Sequence, residues 1–575
     1  MKKKRKKRRE TSMEMLKPRT SSYSPLHAFV SFLIICVSCF IGSSHAQAKT
    51  DPSEARALNT MFQRLRISAT TSWNISGEPC SGTAIDNATN IDDPTLNPGI
   101  KCDCTFNKRK KCRVVRLRMS AMDVTGPIPD EIAMFTRLNF LRFEGNSLQG
   151  SIPSSFSNLT SLTTLRISDL SGGSSFSLDL IKNMKSLRTL ILRNNKMSGV
   201  LPPNMNEFKD LQMLDLSFNN LTGPIPPSLF NSSSLQFLFV GNNSLSGSLP
   251  SQKSPVLLNI DLSYNQLSGS LPSWVNTNGL QLNLVANNFA IDDLNSSVLP
   301  SGLNCLQRNI PCLSESPYYT FSINCGGKSI TASDETLFVD DTENLGAASY
   351  YVSDTKRWAV SNVGTYTSSQ NDTYILSSTH RFDNTLDSEL FQTARHSPSS
   401  LRYFGLGLQT GNYTVSLQFA ELLFEDQYWM RNETRVFDIY IQGILVEKDF
   451  DIRKKAGKSF KAVKKEYIAS VSNNFLEIHF FWAGRGTTSI LNQAVYGPLI
   501  SAISVTPQDF KGTDSEEKTN KHLAIGFFVP IGVAALILIV MVIIWEHKER
   551  KLRMAEDKVQ LQGTDATPTV SAVQS

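Results

Sequence analysis

The acidic side chains spaced for acid–base chemistry are Asp340/Asp341 and Asp449/Asp451, pairs of the kind that hydrolyse a glycosidic bond between two carboxylates. Both sit in turn-like stretches with no supporting constellation. The run "GLGLQTG" from Gly405 has the glycine content of a phosphate loop, and "HRFDN" from His380 has fragments of a phosphoryl-transfer loop. Neither has the rest of that machinery, and both are flanked by strand-like or turn-like sequence, so no catalytic residue is assigned. No H-E-x-x-H or G-x-S-x-G occurs. Cys102, Cys104 and Cys112 could in principle ligate a metal, but C-x-C-x7-C matches no common zinc spacing. No metal or cofactor is implied.

Residue types that recognise rather than react are more abundant. Outward strand positions in the first half carry Arg116, Arg118, Arg142, Arg166 and Arg193, then Met213, Phe218, Phe237, Phe239 and Tyr264. One face thus runs from basic to aromatic. Strands in a stack lie ~4.8 Å apart, so the column Arg118, Arg142, Arg166 repels itself unless neutralised. Two neutralisers are open: the local acids Glu144 and Asp169, or an acidic ligand or peptide with an apolar end.

These residues are positioned by a repeat. "LQMLDLSFNNLTGPIP" at 211 recurs as "LQFLFVGNNSLSGSLP" at 235 and "LRTLILRNNKMSGVLP" at 187, with equivalent starts at Val114, Leu138, Leu162, Leu187, Leu211, Leu235 and Leu257. A degenerate copy follows near Leu282 to Phe289. The period and the L-x-x-L-x-L-x-x-N pattern are those of a leucine-rich repeat solenoid with short parallel strands. Its asparagines, Asn146, Asn195, Asn219, Asn243, Asn265 and Asn287, are expected to turn inward and satisfy backbone groups at the strand ends. Met122 and Leu170 take that position in two copies, and the third repeat is expected to be distorted.

A solenoid needs covers at its ends. Cys80, Cys102, Cys104 and Cys112 precede the first repeat, and Cys305 and Cys312 follow the last, so both ends read as disulfide-stapled caps, with Trp73 and "ALNTMFQRL" supplying an apolar lid. Cys325 is left as a buried free thiol or an intermolecular bridge.

The net charge of +7 resides in the leader: residues 1–27 hold ten Lys/Arg against Glu10 and Glu14, leaving the rest near −1. A nucleic-acid-binding domain is therefore not expected. The basic start, the apolar "AFVSFLIICVSCFIG" and the small residues "SSHAQA" read as a secretory signal, with an uncleaved anchor as the alternative. Leu523 to Trp545 is a 23-residue uncharged run, and 1.5 Å per residue carries it across a hydrocarbon core of ~30 Å. Lys548, Arg550, Lys551 and Arg553 follow it and place the C-terminus in the cytoplasm. The expected location is the plasma membrane, single-pass type I with the N-terminus outside. Sequons at Asn74, Asn87, Asn158, Asn220, Asn231, Asn242, Asn295, Asn371, Asn412 and Asn432 fit a glycosylating compartment.

From Tyr318 to Pro507 the repeat gives way to alternating stretches such as "YTVSLQF", "RVFDIYIQG" and "FLEIHFFWAG", read as an all-β sandwich. The motifs "INCGG", "RYFGLGLQTGNYTVSLQFAEL", "RVFDIYIQGILVEKDFDI" and "YGPLISAISV" resemble the malectin-like domain. Malectin binds a glucose disaccharide through aromatic side chains and an aspartate, so the resemblance implies a carbohydrate site with Tyr350, Tyr351, Trp358, Tyr374 and Asp451 as candidates, each of which could equally be core.

The expected order is a signal peptide (1–46), cysteine-containing cap (47–113), repeats (114–304), second cap and linker (305–317), malectin-like domain (318–507), juxtamembrane linker (508–522), membrane helix (523–545) and short tail (546–575). Up to Arg553 this resembles the plant leucine-rich repeat receptor-like serine/threonine kinases that contain a malectin-like domain. The final segment, 546–575, is too short for kinase chemistry. The resemblance implies a non-enzymatic cell-surface receptor-like protein binding a peptide or carbohydrate and pairing with other receptor-like kinases, as co-receptor or decoy. The alternative is a truncated product of a kinase gene.

Overall fold

The computed structural model describes residues 48–67, 77–93, 96–290, 302–308, 318–366, 373–423, 434–486, 496–508, 540–551 and 553. The expected leader falls outside them, as does most of the apolar run Leu523 to Trp545. Among the described residues no helix is long and apolar enough to cross a membrane.

The repeats wind as expected. Their L-x-L cores form short strands, Phe140–Arg142, Thr164–Arg166, Thr189–Ile191, Met213–Asp215, Phe237–Phe239, Asn259–Asp261 and Gln281–Asn283, which continue the longer strand Lys111–Arg118 in one parallel sheet. Their inward leucines, such as Leu141, Leu165, Leu190, Leu214 and Leu238, have no exposure and share one core. The asparagine ladder stitches each repeat to the one before. Asn219 takes protons from the backbone N–H groups of Asn195 (3.0 Å) and Met197 (2.9 Å) and gives one to the Leu192 carbonyl (2.9 Å). Gln307 extends the ladder past the last asparagine, accepting from the Phe289 amide at 3.4 Å.

A second sheet runs along the other flank, with Ser198–Val200, Asn220–Pro224, Ser244–Gly247, Gln266–Gly269 and Asn288–Phe289 in one piece and Thr125–Pro127 with Ser147–Gln149 in another. The break falls at the third repeat, where Gln149 and Ser171 make only an isolated bridge. Gly173 lies there with φ +74°, so close to Gly150 that a Cβ would stand 2.5 Å from a backbone carbon. Only glycine fits both the space and the left-handed backbone.

The N-terminal lid is the helix Pro52–Arg64. Asp51 caps it by accepting from Ser53 N–H at 2.9 Å, and Pro52 pre-sets the first turn. Ala57, Leu58, Met61 and Phe62 are buried against Val114 and Leu117. Disulfides Cys80–Cys102 and Cys104–Cys112 staple this end, which removes the metal reading of Cys102, Cys104 and Cys112. Cys305 is disulfide-bonded; Cys312 and Trp73 lie outside the described residues. Cys325 is buried and free.

The second half is a sandwich of two six-stranded sheets. One comprises Ile330–Thr331, Leu337–Asp341, Phe321–Cys325, Ala502–Pro507, Gly411–Phe419 and Val463–Val471; the other comprises Ala348–Val352, Trp358–Val363, Ser400–Leu406, Phe475–Phe481, Val436–Ile441 and Ile444–Asp451. Trp358, Val360, Leu401, Tyr403, Leu476, Ile478 and Phe480 point between the sheets. The alternate residues of the same strands point away from that core, yet they too are buried, because this sheet lies on the concave face of the solenoid.

Candidate functional site

Two concave regions have chemistry: the seam between solenoid and sandwich, and a cleft in the sandwich itself. The seam is built on strand alternation. Ser361 pairs with Arg402 and Arg402 with His479 across neighbouring strands, so these three lie abreast on the outer face. Ser361 Oγ accepts from Asn283 at 2.8 Å, and Arg402 donates to Asn242 Oδ1 at 2.9 Å. The Arg402 guanidinium sits 3.9 Å from the Tyr264 ring centroid, a cation–π distance, and its Nε is 2.9 Å from Glu477. Phe218 packs on Phe481 at 4.4 Å between ring centroids. Phe239 is buried with Val363, Tyr366, Trp482 and Tyr496, and half-buried Phe237 packs against the same group.

The basic half of the face is neutralised internally. Glu144 accepts from Arg142 Nε (2.8 Å) and Arg166 Nε (3.0 Å). Burial raises the Glu144 carboxyl, but Arg166 and Arg142 more than reverse it and hold it below the usual range. Asp169 binds Arg193 at 2.8 Å, and Arg193 reaches across to Ser399 Oγ (2.7 Å) and the Trp482 carbonyl (3.0 Å). Arg142 also meets Asp92 at 3.3 Å. Arg118 donates to the carbonyls of Ile91 and Asp93 in the cap, and burial with Arg142 nearby pushes its guanidinium down to about 10.

The expectation of an open concave face is therefore corrected. Of its candidates only Arg116 is exposed, lying 6.0 Å from the Phe140 ring. Arg118 and Arg142 are spent on cap and local acids; Arg193, Phe218, Phe237, Phe239 and Tyr264 are covered by the sandwich. Arg166 lines a residual crevice.

The candidate sugar residues also part company. Tyr374 is buried in the seam, its hydroxyl donating to the Gly364 carbonyl at 3.0 Å. Tyr350 faces the solenoid side, packed near Val285 and Phe404. Asp451 caps the short helix Ile452–Ala456 by accepting from Lys454 N–H at 3.0 Å. Only Tyr351 and Trp358 come together, with ring centroids 5.8 Å apart and edge-on.

Those two line a cleft of about 620 Å3 at the rim of both sheets. Trp358 is its floor, 3% exposed. Asp340, Asp354 and Arg357 stand exposed around it, with Ser353, Thr355, Ser504 and Thr506 as hydroxyl donors and acceptors. Burial, followed by the nearby Asp354, raises the Tyr351 phenol, which keeps it a proton donor. An aromatic edge, carboxylates and hydroxyls together can hold a polyhydroxyl ring by hydrogen bonds and ring contact. Sequence reading missed Ser504 and Thr506, and did not join Asp340 to Tyr351, because these come from other strands; it passed over Ser353, Asp354 and Thr355, which lie in the turn between Tyr351 and Trp358.

Asp340 of the first acid pair stands at the cleft, whereas Asp341, Asp449 and the helix-capping Asp451 have structural roles. Asp341 takes two bonds from Arg395 (2.8 and 2.6 Å) and one from Tyr403 (2.6 Å), and Asp449 pairs with Arg485 at 2.8 Å. Gly405 lies in a strand where a Cβ would meet Phe321 at 2.7 Å, so it serves core packing.

A parallel-strand solenoid joined to an all-β sandwich defines the structural class. The comparisons agree: the Malectin domain family matches residues 319–503, and the Leucine Rich Repeat family matches 137–159, 186–208, 210–232 and 257–278. A probable LRR receptor-like serine/threonine-protein kinase of Arabidopsis thaliana is 49% identical over 318 residues, covering 54% of this chain and 30% of that protein. Another from the same plant is 37% identical over 635 residues, covering 88% of this chain and 58% of that protein. Among solved structures, the Arabidopsis receptor kinase HAESA with the peptide hormone IDA and the co-receptor SERK1 aligns at 27% identity, covering 34% of this chain and 33% of that one, with a TM-score of 0.29. The chain is thus a leucine-rich repeat and Malectin domain protein whose homologues are plant LRR receptor-like serine/threonine kinases. It matches less than two thirds of the length of those relatives.

Proposed function

We propose that this chain is the ligand-recognition part of a plant cell-surface receptor-like protein, and that its sandwich binds a short neutral carbohydrate in the cleft at Tyr351. The observation that carries this reading is the convergence of Tyr351, Asp340, Asp354 and several hydroxyls on one open cleft above Trp358. Asp340 and Asp354 accept sugar hydroxyl protons, Arg357 donates, and the Tyr351 edge contacts a ring face. The solenoid holds the sandwich in place through the seam. Signalling proceeds through membrane partners of the receptor-like kinase type, which is the kind of protein its homologues are named as.

The test is calorimetric titration of the full chain in detergent with a panel of glucose disaccharides. Binding by at least one is expected, and Tyr351→Ala or Asp354→Asn should each weaken it about tenfold, or ~1.4 kcal/mol. Absence of heat with the whole panel would overturn the carbohydrate reading. Tyr374→Phe should leave affinity unchanged, since Tyr374 lies in the seam.

A further inference from the structure

Ser322, Ser504 and Thr506 line the cleft at Tyr351 from the outer face of the first sheet. Their strand neighbours Ile323, Ile503 and Val505 have no exposure and belong to the core, which turns the hydroxyls to the other side. Ser322 Oγ donates to Ser504 Oγ at 2.9 Å, so this wall is fixed.

The adjoining strand, Gly411–Phe419, continues that surface beyond the cleft. Tyr413, Val415 and Leu417 have no exposure and point into the core, so Asn412 and Thr414 lie on the same face as Thr506. The register sets Thr414 directly beside Thr506, and Asn412 one row further on. Such diagonal neighbours stand roughly 7–8 Å apart. On its other side Thr414 pairs with Ile468, whose 70% exposure shows that solvent reaches this row.

Asn412 opens the sequon Asn412-Tyr413-Thr414 and is exposed, so its Nδ2 can take an N-linked glycan. The other exposed sequon asparagines, Asn87, Asn158, Asn220 and Asn231, all belong to the cap or the repeats. A side chain on a strand leaves the sheet in a direction that the pleat fixes. A glycan on Asn412 is therefore planted beside the Thr506 wall and rises on the side where the cleft opens. Being hydrated and jointed, it sweeps a volume larger than its own, and exclusion requires no single bound pose.

We propose that the glycan on Asn412 is a gate on the cleft: it blocks extension of a bound sugar chain past Thr506, so the glycosylated protein takes short chains and rejects long ones. The inference rests on the carbohydrate reading of the cleft for its ligand, but not for its geometry. A disaccharide fits within the cleft of about 620 Å3 without crossing onto the strand of Asn412.

Two measurements on the full chain from a glycosylating host, in detergent, separate the gate from the ligand. In the first, Thr506→Cys supplies a reporter thiol at the cleft wall. N-ethylmaleimide should label it at the same rate with or without the glycan, whereas a polyethylene-glycol maleimide should react about tenfold faster once Asn412→Gln removes it. The second is calorimetric titration with glucose disaccharides and with long linear glucans of the same linkages. Asn412→Gln should bind the long glucans about tenfold more tightly than the unaltered chain and the disaccharides equally. Asn158→Gln, which removes a glycan from the solenoid, should change neither. Peptide-N-glycosidase treatment of the folded chain replaces Asn412→Gln if that variant fails to fold. Equal polymer labelling with and without the glycan, equal affinity of the two proteins for long glucans, or an unmodified Asn412 would each overturn the gate and leave the carbohydrate reading standing. No heat from any sugar with either protein would overturn both.

Discussion

Asp261 shows how a single residue reports the docking of the two halves. It sits on the concave side of the strand Asn259–Asp261, has no exposure, and its Oδ2 has no hydrogen-bond partner among the described residues. Burial pushes its carboxyl up to about 7, against hydrogen bonds from Ser263. A raised carboxyl pKa means the folded state holds the proton more tightly than the unfolded chain. Its stabilising contribution is therefore complete below about pH 4 and is lost as pH rises toward 7. His479, buried in the seam, has the opposite sense: burial and Arg402 push it well below the usual imidazole range, so stability falls as pH drops below about 6.5. Asp261→Asn should raise the melting temperature at pH 8 and leave it nearly unchanged at pH 4. Equal shifts at both values would show that Asp261 does not hold its proton in the fold. At this scale much was legible: the arginine column had to be neutralised, and Glu144 and Asp169 were named as the acids able to do so. Which of the two open neutralisers acts depends on rotamers and distances that spacing does not specify.

Among the elements, the cap and the repeats follow from local rules. Asp51-Pro52 starts the lid helix, and its apolar stripe covers the first coil. Cys80–Cys102 closes a loop with a sequence separation of 22 residues, and opening it should cost about 3 kcal/mol from chain entropy. A Cys80→Ser/Cys102→Ser double variant is expected to show that loss in urea melts, with the sandwich unaffected at first. A loss spread evenly over both halves would mean that they unfold as one unit. The strands of the sandwich were legible too, but not their second burial. Both alternating sets of Trp358–Val363 and Ser400–Leu406 are buried. "WAVSNV" and "LRYFGL" carry few charges on either parity, which is how a strand covered on both faces reads. Arg402 obscured that signal, because an arginine in such a strand suggests solvent until Tyr264 and Asn242 are placed beneath it.

For the whole molecule, docking redistributes which surfaces are available. Asn87, Asn158, Asn220, Asn231 and Asn412 are exposed and can carry glycans, whereas Asn242 is half-buried with its Oδ1 bonded to Arg402. Glycopeptide mass spectrometry on the folded chain from a glycosylating host should find the five exposed sites modified and Asn242 bare. Full occupancy of Asn242 would be incompatible with the seam, since a glycan on its Nδ2 would have to fit beside the Oδ1 that holds Arg402. Asn74, Asn295, Asn371 and Asn432 lie outside the described residues.

The sequence by itself determined the repeat, its register, the asparagine ladder, the capped N-terminal end and the change to a sandwich at Tyr318. All of these are encoded by neighbours within one repeat or strand, where periodicity and side-chain chemistry are local. Tertiary structure alone decided that the sandwich lies on the concave face, that Tyr350, Tyr374 and Asp451 part from Tyr351, and that Arg193 is spent across the seam on Ser399 and Trp482. Those outcomes depend on contacts between residues about 200 positions apart, such as Arg193 with Ser399. Complementarity between two folded surfaces leaves no period in the chain to read.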